Sequence, residues 1–253
     1  SMMKNKLKDK ITLRPRGRKV DFKVLEALEK LLNIDSYRRD HLIEYLHIIQ
    51  DAHGAITKDY MTALASLMGI SLTEGYEVAT FYHHFDVVES DDDKPPALTV
   101  RVCDSVSCEM NGAKELAQTL DNYFKGTVRV QKVPCIGRCQ SAPAAVVKMN
   151  PVDNATFEKV KKTVNDKAYA PEIPNYKNLE SYIEDGGYKI YQSICDEKMS
   201  ADDAVNILES SELKGLGGAG FPAGRKWRIL RDQQAPRLLA VNIGEGEPGT
   251  FKD

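Results

Sequence analysis

Four of the five cysteines stand in two short clusters, Cys103-x4-Cys108 and Cys135-x3-Cys139. Each cluster can present two thiolates on one turn, and thiolates suit an iron–sulphur cluster or zinc. Structural zinc favours tight C-x2–4-C knuckles. Placed at the ends of predicted strands in an α/β unit, the x4/x3 combination fits a 2Fe–2S centre better, with zinc and unligated thiols as the alternatives. Ile136, Gly137 and Ala142 are small or apolar, and Gly137 lets backbone N–H groups approach sulphur. Cys195 stands apart, in a probable helix with Tyr191 and Ile194, and is expected to be a buried structural thiol. His83 and His84 follow a helix, and His41, His47 and His53 lie on or beside another. None has a further ligand at helical spacing, so no metal chemistry is assigned to them.

A second chemical signal is Gly215-Leu216-Gly217-Gly218-Ala219-Gly220-Phe221-Pro222, ahead of a helix carrying Arg225 and Lys226. Consecutive glycines let amides approach a phosphate, and a helix N-terminus favours negative charge. A helix and not a strand precedes this loop, so a Rossmann context is lacking and a plain flexible turn stays open.

These signals need a scaffold, and 253 residues with 42% hydrophobic and 28% charged side chains supply a globular, multidomain one. No apolar run reaches the roughly 18 residues of a membrane span, and the lysine-rich start lacks an apolar signal core. The odd, clustered cysteines argue for a reducing compartment, taken as the cytoplasm. The net charge of −2 conceals a division: residues 1–20 carry +7 and the remainder −9. No aromatic residue interleaves these basic charges. Residues 1–20 are therefore read as a flexible arm docking on a partner subunit, without nucleic acid or membrane insertion as partner.

The expected fold class is α+β and multidomain. A helical bundle over 21–90 begins at the cap Asp21, with Val24, Leu25, Leu28 and Leu31 on one face. Ser36 opens a second helix ending at Gly54, Thr57 a third ending at Gly69, and Ser71 with Glu74 a fourth. After the Pro95-Pro96 linker, 97–167 reads strand Leu98–Val102, helix Ala113–Phe124, strands Val128–Val133 and Ala144–Lys148, then a closing helix. This is an α/β unit of thioredoxin-like size. Residues 168–187, rich in Pro and Gly, are read as a linker. Residues 188–253 hold a helix capped by Ser200, the glycine loop, a basic helix around Trp227–Arg231 and a strand Leu238–Asn242. That last stretch reads as the front of an incomplete α/β domain.

Cys103-Asp104-Ser105-x-x-Cys108 and Val133-Pro134-Cys135-Ile136-Gly137-x-Cys139, preceded by Glu77-Val78-Ala79-Thr80-Phe81-Tyr82, resemble the thioredoxin-like 2Fe–2S subunit of respiratory complex I and its soluble relatives. The resemblance covers about 21–167 and implies that Cys103, Cys108, Cys135 and Cys139 ligate one 2Fe–2S cluster. Residues 213–227 and Val241-Asn242-x-x-Glu245-Gly246-Glu247-Pro248-Gly249-Thr250-Phe251-Lys252-Asp253 are similar to the complex I flavin subunit. That likeness implies that Gly215, Gly217, Lys226, Asn242 and Glu245 face FMN. It likewise implies that Gly218, Ala219, Phe221 and Glu247 line the NAD(H) site. Gly244 stands where that family usually has Asp, so one carboxylate expected at FMN is missing.

The fusion of both parts in one chain, the basic arm and Leu42–Gln50 resemble the β (diaphorase) subunits of soluble NAD-dependent formate dehydrogenases. The resemblance implies a molybdenum- or tungsten-containing catalytic α subunit, and further iron–sulphur subunits, as partners. Electrons from formate would pass through clusters to FMN and NAD⁺, the cofactors carrying the chemistry, so no catalytic side chain is singled out. The alternatives are a diaphorase subunit of a bidirectional hydrogenase or of complex I, and a non-catalytic 2Fe–2S carrier or interaction fragment. With half the flavin cavity outside it, the chain alone is expected to be inactive in hydride transfer.

Overall fold

Helix ends in the first part are set by local chemistry. In the computed structural model, which describes residues 18–216 and 218–249, the Asp21 carboxylate accepts the Lys23 N–H and opens α1 (Phe22–Leu32). Asn33, in the left-handed region, ends it. A single 3₁₀ turn over Arg39–His41 leads into α2 (Leu42–His53), which stops at Gly54 with φ 79°. The second helix thus starts at Leu42, later than Ser36 suggested, and neither Arg38 nor His41 caps the turns they precede with a side chain. Thr57 caps α3 (Lys58–Met68) and Ser71 caps α4 (Leu72–Phe81), each worth about 1 kcal/mol. Two two-residue strands, β1 (Ile56–Thr57) and β2 (Val87–Val88), pair in parallel.

The chain divides into two compact units, one of residues up to 99 with 124–129, the other of 100–123 with 130 onward. In the first, Leu25, Leu28, Leu46, Ile49, Met61 and Leu64 form the buried centre of the helices. Each fully buried Leu or Ile contributes roughly 1.5–3 kcal/mol. Gln50 is buried too: its side-chain amide donates to the His84 carbonyl and its oxygen accepts the Asp86 N–H at 2.7 Å. Arg129 clamps the same corner, donating to both carboxylate oxygens of Asp86 at 2.6 and 2.8 Å and to the Thr99 hydroxyl at 3.0 Å. The histidine rings serve packing here: His47 meets His84 at a tilt and Phe85 edge-on, both centroids at 4.8 Å, and His53 stacks on Tyr60 at 4.2 Å.

The second unit is organised by a four-stranded sheet in the order β4-β3-β5-β6, from β3 (Thr99–Cys103), β4 (Arg129–Val133), β5 (Ala145–Val147) and β6 (Asn150–Val152). β5 pairs antiparallel with both neighbours, with Val100 opposite Val147 and Val102 opposite Ala145. All five residues of β3 are buried, including Thr99 and Arg101. A one-turn helix, α5 (Val106–Glu109), follows β3 after two residues, and α6 (Ala113–Phe124) buries Leu116, Ala117 and Leu120. Thr156 caps α7 (Phe157–Asn165), which buries Val160. β6 was not expected from the sequence: it is three residues long and contains Pro151, which an edge position tolerates.

Residues 168–187, expected as a linker, contain a short helix, α8 (Leu179–Glu184), opened by the Asn178 side chain. α9 (Lys189–Cys195) ends on Cys195, which is exposed and not buried as expected, since the whole helix buries no residue. α10 (Ala201–Ser210) has the Ser200–Asp203 capping box and packs on α11 (Ala223–Arg231). Gly224 makes that approach possible, because a Cβ there would meet the Glu209 backbone nitrogen at 2.4 Å. Arg228 bonds Asp202, Asn206 and Glu209 across the pair.

The expected strand Leu238–Asn242 does not form. Leu238 and Leu239 are 92% and 90% exposed, and among the described residues no neighbouring strand offers the segment a ladder. The described part of 188–253 is therefore helical, with one isolated bridge at Lys214–Pro222. Residues 1–17, most of the basic arm, lie outside the described residues, as do Gly217 and 250–253. Among the described residues no helix is long and apolar enough to cross a membrane.

Candidate iron–sulphur site

The sheet delivers both cysteine pairs to the second unit. Cys103 is the last residue of β3 and Cys108 lies in α5, both buried. Ser105 opens the turn between them, its carbonyl accepting the Cys108 N–H at 2.9 Å. Cys135 follows β4 at a distance of two residues, and Cys139 begins a 3₁₀ turn (Cys139–Ser141). Their sulphurs are 3.5 Å apart. The loop carrying this second pair is fixed from outside by an Arg138–Asp153 ion pair at 2.8 Å. Backbone bonds from Asn154 N–H to the Ser141 carbonyl and from Ala155 N–H to the Pro143 carbonyl, both 2.7 Å, hold its far end.

The pairs sense one another: Cys103 and Cys139 act electrostatically on Cys108, and Cys103 acts on Cys135. Burial pushes the Cys108 thiol up to about 11, with the Ala144 amide pulling the other way. Burial also raises Cys135, against an N–H···S contact of 3.4 Å from Gly137. Cys139 is lowered, first by the Gly249 N–H at 3.2 Å from its sulphur, and also by its neighbours Cys135 and Ser107. Amides and hydroxyls aimed at sulphur are what a bound thiolate needs, since metal binding strips the proton from each ligand.

Among the described residues no three His, Cys, Asp or Glu groups gather around one point to hold a single metal ion. Two pairs of thiols close enough to act on one another are a donor set that suits a two-iron centre, whose ligands are thiolates. The donor set, soft, partly buried and supplied with N–H groups, fits such a cluster. Cys195 terminates a separate helix and plays no part in this arrangement.

The glycine loop closes on itself. The Gly215 N–H bonds the Phe221 carbonyl at 3.0 Å, and the Ala223 N–H bonds the Leu213 carbonyl at 2.8 Å. Gly218 and Gly220 take positive φ, 99° and 59°, and α11 starts directly behind, with Lys226 exposed in its first turn. Ala219 lies in the exposed stretch of the loop, and the Phe221 ring carries the Arg225 guanidinium at 5.9 Å. In the acidic loop the Asn242 side chain accepts the Gly244 N–H at 2.9 Å. Glu245 is half-buried while Glu247 is exposed. Glu245 stands against Gly137 and acts on Cys139, so this loop meets the cysteine site. Sequence reasoning missed Ser107 and Gly249 as neighbours of Cys139. Ser107 adjoins Cys108 in sequence, whereas nothing local marks Gly249, 110 residues away.

Residues 28–168, more than half of the chain, match the family described as thioredoxin-like [2Fe-2S] ferredoxin, and the chain belongs to that family. Residues 208–253 match a second family, the Nuo51 FMN-binding domain. The alpha subunit of the NAD-reducing hydrogenase HoxS of Cupriavidus necator is 26% identical over 87% of this chain and 42% of its own length. An NADH-quinone oxidoreductase subunit of Aquifex aeolicus is 39% identical over 32% of this chain and 18% of its own length. The chain thus spans less than half of either relative. A solved NAD⁺-reducing [NiFe]-hydrogenase, in the H2-reduced state, shares the fold with a TM-score of 0.59 and 22% identity, over 84% of this chain and 40% of that one. The chain thus joins a thioredoxin-like [2Fe-2S] ferredoxin domain to a segment that matches an FMN-binding domain family.

Proposed function

We propose that Cys103, Cys108, Cys135 and Cys139 hold one 2Fe–2S cluster, and that the chain passes electrons in the diaphorase module of an NAD-linked oxidoreductase. The observation carrying this reading is the arrangement of two neighbouring thiol pairs with Gly137 and Gly249 amides directed at sulphur. In that module FMN, when bound, exchanges hydride with NAD(H) and single electrons with the cluster. By their likeness to the flavin family, Gly215, Gly217, Lys226, Asn242 and Glu245 would hold FMN. Gly218, Ala219, Phe221 and Glu247 would line the NAD(H) site. Gly244 leaves the FMN end of this set one carboxylate short.

For the electron donor, similarity to a hydrogenase subunit along 87% of the chain favours a hydrogenase-type catalytic partner. The formate dehydrogenase α subunit, suggested by the resemblance of Leu42–Gln50 and the basic arm, is the second reading. Anaerobic purification with iron, zinc and acid-labile sulphide analysis tests the cluster. Two irons and two sulphides per chain with a rhombic EPR signal on reduction are expected, and stoichiometric zinc without colour refutes it. Metal analysis of the complex copurified from the native host tests the donor: nickel supports the hydrogenase reading, molybdenum or tungsten the formate one.

A further inference from the structure

Gly137 sits between two of the candidate ligands with φ 76°, and a Cβ built there would lie 2.2 Å from the Glu245 backbone oxygen. That obstacle is backbone, so no side-chain rotation relieves it. Four residues further on, the Gly249 N–H reaches the Cys139 sulphur at 3.2 Å, and Gly249 itself lies beside the Ser107 hydroxyl, which also bonds that sulphur. The acidic loop is therefore seated on the second cysteine pair, and the missing side chain at Gly137 is what admits it.

We infer that the Glu245–Gly249 segment sets the electron affinity of the centre, the Gly249 amide favouring its reduced state and the Glu245 carboxylate opposing it. The inference rests on the four-cysteine cluster proposed above. Reduction adds one negative charge to a cluster and its thiolates. A donor on a ligand sulphur stabilises that added charge, and a nearby carboxylate destabilises it. Both groups belong to one backbone segment, so its seating decides how much of each effect is felt. Glu245 and Gly249 are positioning residues in this sense, since neither ligates.

The test is an EPR-monitored potentiometric titration of the full chain loaded with iron and sulphide, as wild type, Glu245→Gln, Gly137→Ala and Ser107→Ala. Glu245→Gln should move the reduction equilibrium about tenfold towards the reduced form, an upward shift of about 59 mV for one electron. Ser107→Ala, which removes a donor from the same sulphur, should move it the opposite way, while Gly137→Ala, which displaces amide and carboxylate together, should leave the midpoint below that of Glu245→Gln. Opposite signs are not produced by a general loosening of the site. Midpoints that coincide within about twofold, or shifts of a single sign, overturn the inference. Should Gly137→Ala fail to take up iron, Glu245→Gln and Ser107→Ala decide, since both keep the backbone. Wild-type chain that binds no 2Fe–2S cluster refutes the cluster reading itself. A cluster present with unmoved midpoints refutes only the role of the loop.

Discussion

Replacing Asp86 by Ala removes the partner of Arg129 at the corner where Gln50, Asp86 and Thr99 meet. The pair is bidentate, at 2.6 and 2.8 Å, with the Arg129 and Asp86 side chains only 24% and 14% exposed. Breaking a buried pair by removing one member costs about 3–5 kcal/mol, because the other charge is left without compensation. Here water reaches the guanidinium edge, and the Thr99 hydroxyl remains bonded to Nε at 3.0 Å. Both effects bring the expected loss down to about 2–3 kcal/mol, the range of one strong charge-assisted bond. Amide hydrogen exchange across residues 42–53, the helix that Gln50 ties to Asp86, reads this directly. A loss of about 2 kcal/mol accelerates exchange through the opened unit about 30-fold. The double replacement Asp86→Leu with Arg129→Met should recover most of the loss, since it leaves no stranded charge. Exchange unchanged within about threefold in Asp86→Ala would refute the reasoning, as would a double variant losing the sum of the two single losses.

Serine at Cys103, Cys108, Cys135 or Cys139 should each abolish the rhombic EPR signal, while Cys195→Ser should leave iron and sulphide content unchanged. Gln50→Ala strands the Asp86 N–H and the His84 carbonyl in a buried corner and should cost about 1–3 kcal/mol in chemical denaturation followed by helical circular dichroism. Burial first, and Lys94 second, hold His53 below its ordinary 6.5. The folded state thus favours the neutral ring, a preference fully present above pH 6.5 and lost as pH falls from 6.5 through the folded value. NMR titration should place His53 below 6.5, and His53→Gln should flatten the stability slope between pH 7 and 5.

What could be read from the sequence depended on how far apart the interacting groups lie along it. Asp21, Thr57, Ser71 and Ser200 each act within three residues, and all four cap helices as their types suggest. Ala113–Phe124 was legible for a similar reason, its apolar face repeating at helical spacing ahead of Gly126. Leu238–Asn242 has strand-like residues, yet a strand exists only where another offers its amides, and propensity carries no information about that partner. Cys195 misled because a thiol with no ligand partner nearby is ordinarily a buried one, whereas α9 packs none of its residues away. The spacing of the four cysteines pointed to a shared centre. The loop that covers Cys139 could not be foreseen, since Gly137 and Glu245 meet only through tertiary packing.

The hydrogen bond from Gly249 to Cys139 joins residues 110 positions apart, and that separation has a meaning in time. A chain grows at roughly 5–20 residues per second, so on the order of 5–20 s pass between synthesis of the last cysteine of the set and of its cover. During that interval all four thiols exist with the second pair open on the side that the loop later occupies. Once residues 245–249 are made, the loop settles over Cys139, which stays partly exposed beneath it. Glycine at 137 thus lets a segment made late settle on a site made early.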